Sequence, residues 1–362
     1  MKALTFCLLL LTCLLCELGF CQELSSPDQL LTEMITEKGI IGITAAYSTN
    51  GETIWEGAEG YACKEGEIPF SGNMLTRIAS IAKPMTSVAA MMLVEEGKLE
   101  LDAPLSNYLP DYPQQGETPI TVKHLLGHTS GIPQYQSGKE AQNKTHYSSL
   151  QEAMTIFQDR PLLFEPGSGF FYTTYGYVVL GRILEVASGL SYEELMQSRI
   201  WDRAEMKNTG IENIGISYEN KSCLYHKDKK KAKEGKQNDL SNRIPGGGFY
   251  STLEDVMKFG NTLLEGKFIS DSTIQEMTTN QQAKKEGNPY GLGWFLYAPA
   301  PNENLVIGHS GEQTGVSAQL MILPKSNTVV VVLANTSGAW KDVVTLSSKL
   351  IQISETGRNQ EN

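Results

Sequence analysis

The chain has 362 residues and a net charge of −11, with 41 acidic against 30 basic side chains. That balance argues against a nucleic-acid partner, since phosphates select basic faces. The length suffices for one large unit or two lobes around a sizeable core.

Lys2, the apolar stretch Ala3 to Cys16, and small residues at Gly19 and Cys21 read as a secretory signal over residues 1–21, cleaved before Gln22. No later stretch approaches the length of about twenty apolar residues that a membrane span needs. The expectation is an exported protein, secreted or periplasmic, with no transmembrane segment in the mature chain. Four of the six cysteines fall in the signal, leaving Cys63 and Cys223, whose pairing the spacing leaves open. No His-x-x-x-His or Cys-x-x-Cys spacing supports a metal site, and no cofactor is implied.

A helix is expected around Pro27 to Glu37. Gly39 to Tyr47 and Thr53 to Tyr61 read as two strands joined at Asn50-Gly51, a strong hairpin turn. Next comes Arg77-Ile78-Ala79-Ser80-Ile81-Ala82-Lys83, then an apolar run from Val88 to Val94 that ends at Gly97. This predicts a helix with Ser80 and Lys83 in its opening turn. Three residues apart they share a face, so a hydroxyl and an amine stand within reach of each other. A serine becomes a nucleophile when an adjacent neutral amine takes its proton, and N–H groups at a helix start can steady the oxyanion.

From Leu99 to about Asn242 the pattern turns to helices and loops. Thr121 caps a short helix, and Ser149/Glu152 and Ser191/Glu194 make two capping boxes. An apolar helix from Tyr175 to Ala187 stops at Ser188-Gly189. The six lysines from Lys227 to Lys236 read as a solvated loop. A helix capped by Thr252 and another over Ser270 to Thr278 follow. Strands are expected at Gly291–Tyr297, Asn304–Gly308, Val316–Leu323 and Thr328–Asn335, with a closing helix from Lys341 to Ile353. Strands at both ends and helices between them predict an α+β architecture, with one antiparallel sheet flanked by helices and an inserted all-helical lobe. The sheet lobe takes residues 22–98 and 243–362, and the insertion takes 99–242.

Two more stretches carry chemistry. Tyr172, in Pro166-Gly167-Ser168-Gly169-Phe170-Phe171-Tyr172-Thr173-Thr174, stands in a turn before a helix. Its phenol can pass protons if cationic neighbours lower its pKa; the alternative is a core aromatic. Gly308-His309-Ser310-Gly311-Glu312 ends a strand whose backbone can lie along a substrate. A rival reading makes Ser310 the nucleophile of an elbow, but that motif needs glycine where Glu312 stands and a helix afterwards.

Ser80-Ile81-Ala82-Lys83, Tyr172-Thr173-Thr174 and His309-Ser310-Gly311 together resemble the three motifs of class C-type serine β-lactamases and their penicillin-binding relatives. The resemblance extends to Leu125 to Gly131, Gly246-Gly247-Gly248 and Tyr290 to Trp294. It implies a β-lactamase/transpeptidase-like fold and an acyl-enzyme mechanism on a small-molecule or peptide substrate. Ser80 would be the nucleophile, Lys83 and Tyr172 would manage its proton, and the N–H groups of Ser80 and Glu312 would hold the oxyanion. Which of Lys83 and Tyr172 is the resting base stays open.

Two departures bear on substrate. Such β-lactamases carry asparagine where Thr174 stands and Lys-Thr-Gly where His309-Ser310-Gly311 stands. Thr174 offers one hydroxyl in place of an amide, His309 is only partly cationic near neutral pH, and Glu312 adds negative charge nearby. The expectation is therefore an esterase or D,D-peptidase-like hydrolase. An active β-lactamase, or a catalytically lapsed binding protein of the same fold, is the alternative. His124 and His128 are expected to cap or pack a helix end, and Arg77 to form a structural ion pair. Sequons stand at Asn143, Asn220 and Asn335.

Overall fold

A computed structural model describes residues 25–229, 231–281, 289–300 and 304–361. The leader expected over residues 1–21 lies outside them. Helix α1, Pro27–Thr36, is started by reciprocal bonds between Ser26 and Gln29. Strands β1, Gly42–Thr49, and β2, Glu52–Cys63, form the expected hairpin. Its turn needs two consecutive left-handed residues, which Asn50 and Gly51 supply at φ 53° and 79°. After β3, Ile68–Pro69, and β4, Thr76–Arg77, a 3₁₀ turn over Ala79–Ile81 runs directly into helix α2, Ala82–Glu95.

Residues 99–242 hold the short helices α3, Val122–Leu126, α4, Gly138–Ala141, and α5, Leu150–Met154. The longer α6, Thr174–Ser188, and then α7, Tyr192–Met196, follow. Thr121, Ser149 and Ser191 cap their helices, and α6 stops on Gly189 at φ 75°. Of the two expected capping boxes only Ser191/Glu194 closes, because the Glu152 carboxylate accepts from Ser148 instead of Ser149. The insertion is not purely helical. It contains β5, Gly210–Ile211, and a hairpin of β6, Tyr225–Asp228, with β7, Lys231–Glu234. The lysine-rich run is thus largely strand: Lys231 and Lys233 point their charges to solvent while the backbone pairs.

The chain then forms α8, Ile244–Gly247, β8, Phe249–Ser251, α9, Leu253–Leu264, and α10, Asp271–Met277. It closes with β9, Phe295–Ala300, β10, Asn304–Gln313, β11, Val316–Leu323, β12, Thr328–Ala334, β13, Thr336–Ser337, and α11, Trp340–Glu361. The strand expected from Gly291 starts only at Phe295. Gly293, at φ 91°, passes so close to α2 that a Cβ there would stand 2.0 Å from Ser87 Oγ.

The main sheet runs β3-β2-β1-β12-β11-β10-β9, so the first strands of the chain are completed by the last. β12 is buried along its whole length, and alternation sorts it between two cores. Val329, Val331 and Leu333 face the core that contains Met85, Val88 and Phe259. Val330, Val332 and Ala334 face α1 and α11 through Leu30, Leu31, Val343 and Leu346. α2, with Ser80 at its entrance, is therefore held beneath the sheet and against the insertion.

Cys63, at the end of β2, is disulfide-bonded to Cys223, just before β6. Asn335 reinforces the same region: its Nδ2 donates to Tyr61 O and Ala62 O, and its Oδ1 accepts from Gly42 N. Asn335 and Asn143 are buried, so of the three sequons Asn220 alone is exposed. Among the described residues no helix is long and apolar enough to cross a membrane.

Candidate active site

Ser80 is positioned by what precedes it. Arg77 is fully buried and grips Glu212 through three contacts of 2.6 to 3.1 Å, while its Nη1 donates to Asn238 Oδ1 and Thr314 O. It is the structural ion-pair partner the sequence suggested. Ala79 takes φ 47°, a costly conformation for a residue with a Cβ. Strain of this kind persists where the surroundings enforce it. Here they do: Ile78 N bonds Phe249 O on one side, and β10 presses from the other at Gly311.

Lys83 Nζ lies 3.1 Å from Ser80 Oγ, 2.7 Å from Gly246 O and 3.3 Å from Thr174 Oγ1, with its side chain wholly buried. Among the described residues no carboxylate pairs with it. Burial, and secondarily the charge of Arg243, push its pKa well below the usual lysine range. Such an amine is held toward its neutral form and can accept the Ser80 proton.

Tyr172 precedes Thr173, the cap of α6. Its ring lies under Lys83 Nζ, 4.8 Å from the centroid, and its hydroxyl interacts with Ser80 and stands 3.5 Å from His309 Nε2. From sequence, its use in proton transfer was conditional on cationic neighbours lowering its pKa. Instead burial raises it well above the usual tyrosine value, with the Ser80 bond only partly opposing. The phenol is therefore protonated at rest.

His309 departs from expectation in the same way. Nδ1 stands 2.7 Å from the Ser310 carbonyl, which can only accept, so this nitrogen carries the proton. Nε2 then accepts from Tyr290 Oη at 3.1 Å. Burial, with Lys83 nearby, pushes His309 down to about 3, so it is neutral rather than partly cationic.

β10 carries both useful and turned-away groups. Gln313 and Val316 flank a two-residue turn and pair directly. Alternation back from that hydrogen-bonded pair sends the N–H and C=O of Glu312 and Ser310 to the opposite edge. β9 leaves that edge open beyond Gly308, so the Glu312 N–H faces the cleft. Side chains alternate independently. His309 and Gly311 face Ser80, whereas Ser310 reaches Tyr297 on the α11 face. The Glu312 carboxylate accepts from Ser317 Oγ and Gly338 N on that same face. It is not beside His309, as expected from sequence.

Three participants were not foreseen. Gln134 binds Thr174 twice. Tyr290 orients His309. His128, expected at a helix end, is buried with its ring against Tyr172 at 4.3 Å and Tyr290 at 4.8 Å, and its Nδ1 accepts from Thr173 N. Gly246, which holds Lys83, was quoted only as part of a glycine run. A cavity of about 860 Å³ lined by Tyr218, Lys221, Leu224 and Gln237 reaches Glu212, the partner of Arg77, but none of Ser80, Lys83, Tyr172 and His309 lines it.

A serine, a buried amine and a phenol meet at one point beside an open strand edge, and the family model described as Beta-lactamase matches residues 27–349. The chain belongs to the β-lactamase family. It is a serine hydrolase of that family, acting on a small-molecule or peptide substrate. It is 27% identical to the human serine β-lactamase-like protein LACTB, mitochondrial, over 86% of this chain and 74% of LACTB. It is 28% identical to penicillin-binding protein 4* of Bacillus subtilis, over 85% of this chain and 71% of that protein. An octameric penicillin-binding-protein homologue from Pyrococcus abyssi superposes with a TM-score of 0.80 at 26% identity, covering 91% of this chain and 76% of that one.

Proposed function

We propose that the protein is an exported hydrolase that cleaves a neutral ester, amide or peptide bond through an acyl-enzyme on Ser80. The observation that carries this reading is the Ser80–Lys83 contact of 3.1 Å around a buried amine that has no acidic partner among the described residues. Lys83 takes the Ser80 proton as Oγ attacks the carbonyl carbon. The N–H groups of Ser80 and Glu312 receive the oxyanion. As the bond to the leaving group breaks, Tyr172 gives that group its phenolic proton, and the Lys83 ammonium restores it. Deacylation runs the relay backwards: water enters where the leaving group left, gives a proton through Tyr172 to Lys83, and Ser80 Oγ regains its own.

A neutral substrate follows from His309. It occupies the position from which a lysine would attract a carboxylate, yet burial keeps it uncharged and Tyr290 occupies its Nε2. This disfavours substrates with a carboxylate beside the scissile bond, penicillins among them. Export is supported by the leader-like residues 1–21 and by the Cys63–Cys223 disulfide, which persists in oxidising compartments.

The test is intact-mass labelling with a fluorophosphonate and with a penicillin, on the wild type and Ser80→Ala. A stoichiometric fluorophosphonate adduct that is lost in the variant, with slow or absent penicillin labelling, is the expected result. A folded wild type inert to both reagents would remove the acyl-enzyme reading and leave a binding protein.

A further inference from the structure

Gln134 follows the turn after α3 and is only partly exposed. Its amide makes two bonds to one residue. Oε1 accepts from Thr174 N at 3.2 Å, and Nε2 donates to Thr174 Oγ1 at 3.0 Å. The orientation of this amide is dictated. A backbone N–H can only donate, so the carbonyl end must face it and the NH₂ end must face the hydroxyl. The bond also satisfies an N–H in the first turn of α6, where no intrahelical acceptor exists.

The polarity of Thr174 follows from that. Its oxygen has one proton and two lone pairs, and Gln134 fills one lone pair. The phenol of Tyr135 interacts with the same hydroxyl and can accept its proton. The second lone pair is left for Lys83 Nζ at 3.3 Å. A neutral lysine has two protons and one lone pair to place. Gly246 O, an obligate acceptor at 2.7 Å, takes one proton, and Thr174 takes the other. The lone pair then has one remaining partner, the Ser80 hydroxyl at 3.1 Å. Without the Gln134 amide, the Thr174 hydroxyl is free to rotate and donate to Lys83. The amine would then point an N–H at Ser80, the wrong polarity for removing its proton.

We propose that Gln134 is a positioning residue that fixes the direction of proton transfer from Ser80 to Lys83, acting through the Thr174 hydroxyl. The inference rests on the role given to Lys83 above. The other titratable and charged groups around the amine are Arg243, His128, His309, Tyr172 and Tyr177. A carboxylate at position 134 would stand two hydrogen bonds from Lys83 and favour its charged form.

The experiment compares the wild type with Gln134→Met, Gln134→Glu, Thr174→Val and the Gln134→Met/Thr174→Val pair. It measures the rate of Ser80 labelling by a fluorophosphonate against pH and the KM for a neutral ester, with melting temperature as a check on folding. Gln134→Met should slow labelling roughly tenfold or more with KM nearly unchanged, and should add little in the Thr174→Val background. Gln134→Glu should move the acid limb of the labelling rate to higher pH by about one unit or more, as an opposite charge at this range does. Wild-type rates and limbs in both Gln134 variants, or full additivity with Thr174→Val, would overturn the proposal. If the wild type is never labelled, the hydrolase reading fails separately. The Lys83 titration, followed by NMR of ¹³C-labelled lysine, then decides: a Gln134→Glu variant that leaves it unmoved removes the role of Gln134.

Discussion

Lys83 and Tyr172 both reach Ser80 Oγ, and burial drives their pKa values apart, the lysine down and the tyrosine up. One group is thereby prepared to accept a proton at rest and the other to donate one. A pH dependence follows. kcat/KM should rise as pH climbs through the depressed Lys83 pKa, and should show no fall on the alkaline side until beyond the ordinary tyrosine range. His309→Gln should lower the rate without moving the acid limb, because a histidine pushed to about 3 does not titrate there. A limb that shifts in this variant would assign it to the histidine instead. The Ser80–Lys83 pair was legible in the sequence because helical spacing is local. Gln134, His128 and Tyr290 were not, since their contacts join residues from separate elements. The charge of His309 was misjudged for a related reason: burial depends on the whole neighbourhood, not on the residue type.

β10 carries much of the site, and its alternation decides which groups can act. Gly311 is the position where this strand meets the nucleophile turn, and a Cβ there would stand 2.4 Å from Ile78 O and 3.2 Å from the Ala79 Cβ. Gly311→Ala should therefore push β10 away from Ser80 and misplace the Glu312 N–H. We expect Ser80 labelling to fall by roughly a hundredfold, in the range for a lost oxyanion donor. Stability should drop by only about 1–3 kcal/mol, the usual cost of overpacking. Measured labelling and melting curves would contradict this if the variant labels normally. Most strands were readable because the buried ones are runs of Val, Ile, Leu and Ala. The β6–β7 hairpin was not, because its lysines signal solvent and its partner β13 lies about a hundred residues further on.

At the scale of the whole molecule, two cores share one sheet, and the disulfide ties the edge of that sheet to the insertion across 160 residues. Neither cysteine touches the groups around Ser80. Replacing both with alanine should cost about 2–5 kcal/mol of unfolding free energy, the usual range for losing a native disulfide. The Ser80 labelling rate should stay within about twofold. Denaturant titration checks the first expectation, and an unchanged midpoint would show that the bond contributes nothing to stability. The general architecture was legible from strands at both ends of the chain, but the disulfide was not, because spacing alone cannot choose a pairing.

The pairing of β1 with β12 also has a consequence in time. A ribosome adds roughly 5–20 residues per second, so β1 waits roughly 15 to 60 seconds for its partner to be made. The strand edge that faces Ser80 is synthesised only shortly before that partner. Throughout this interval the growing chain holds a serine and a lysine in place along its length but no assembled catalyst.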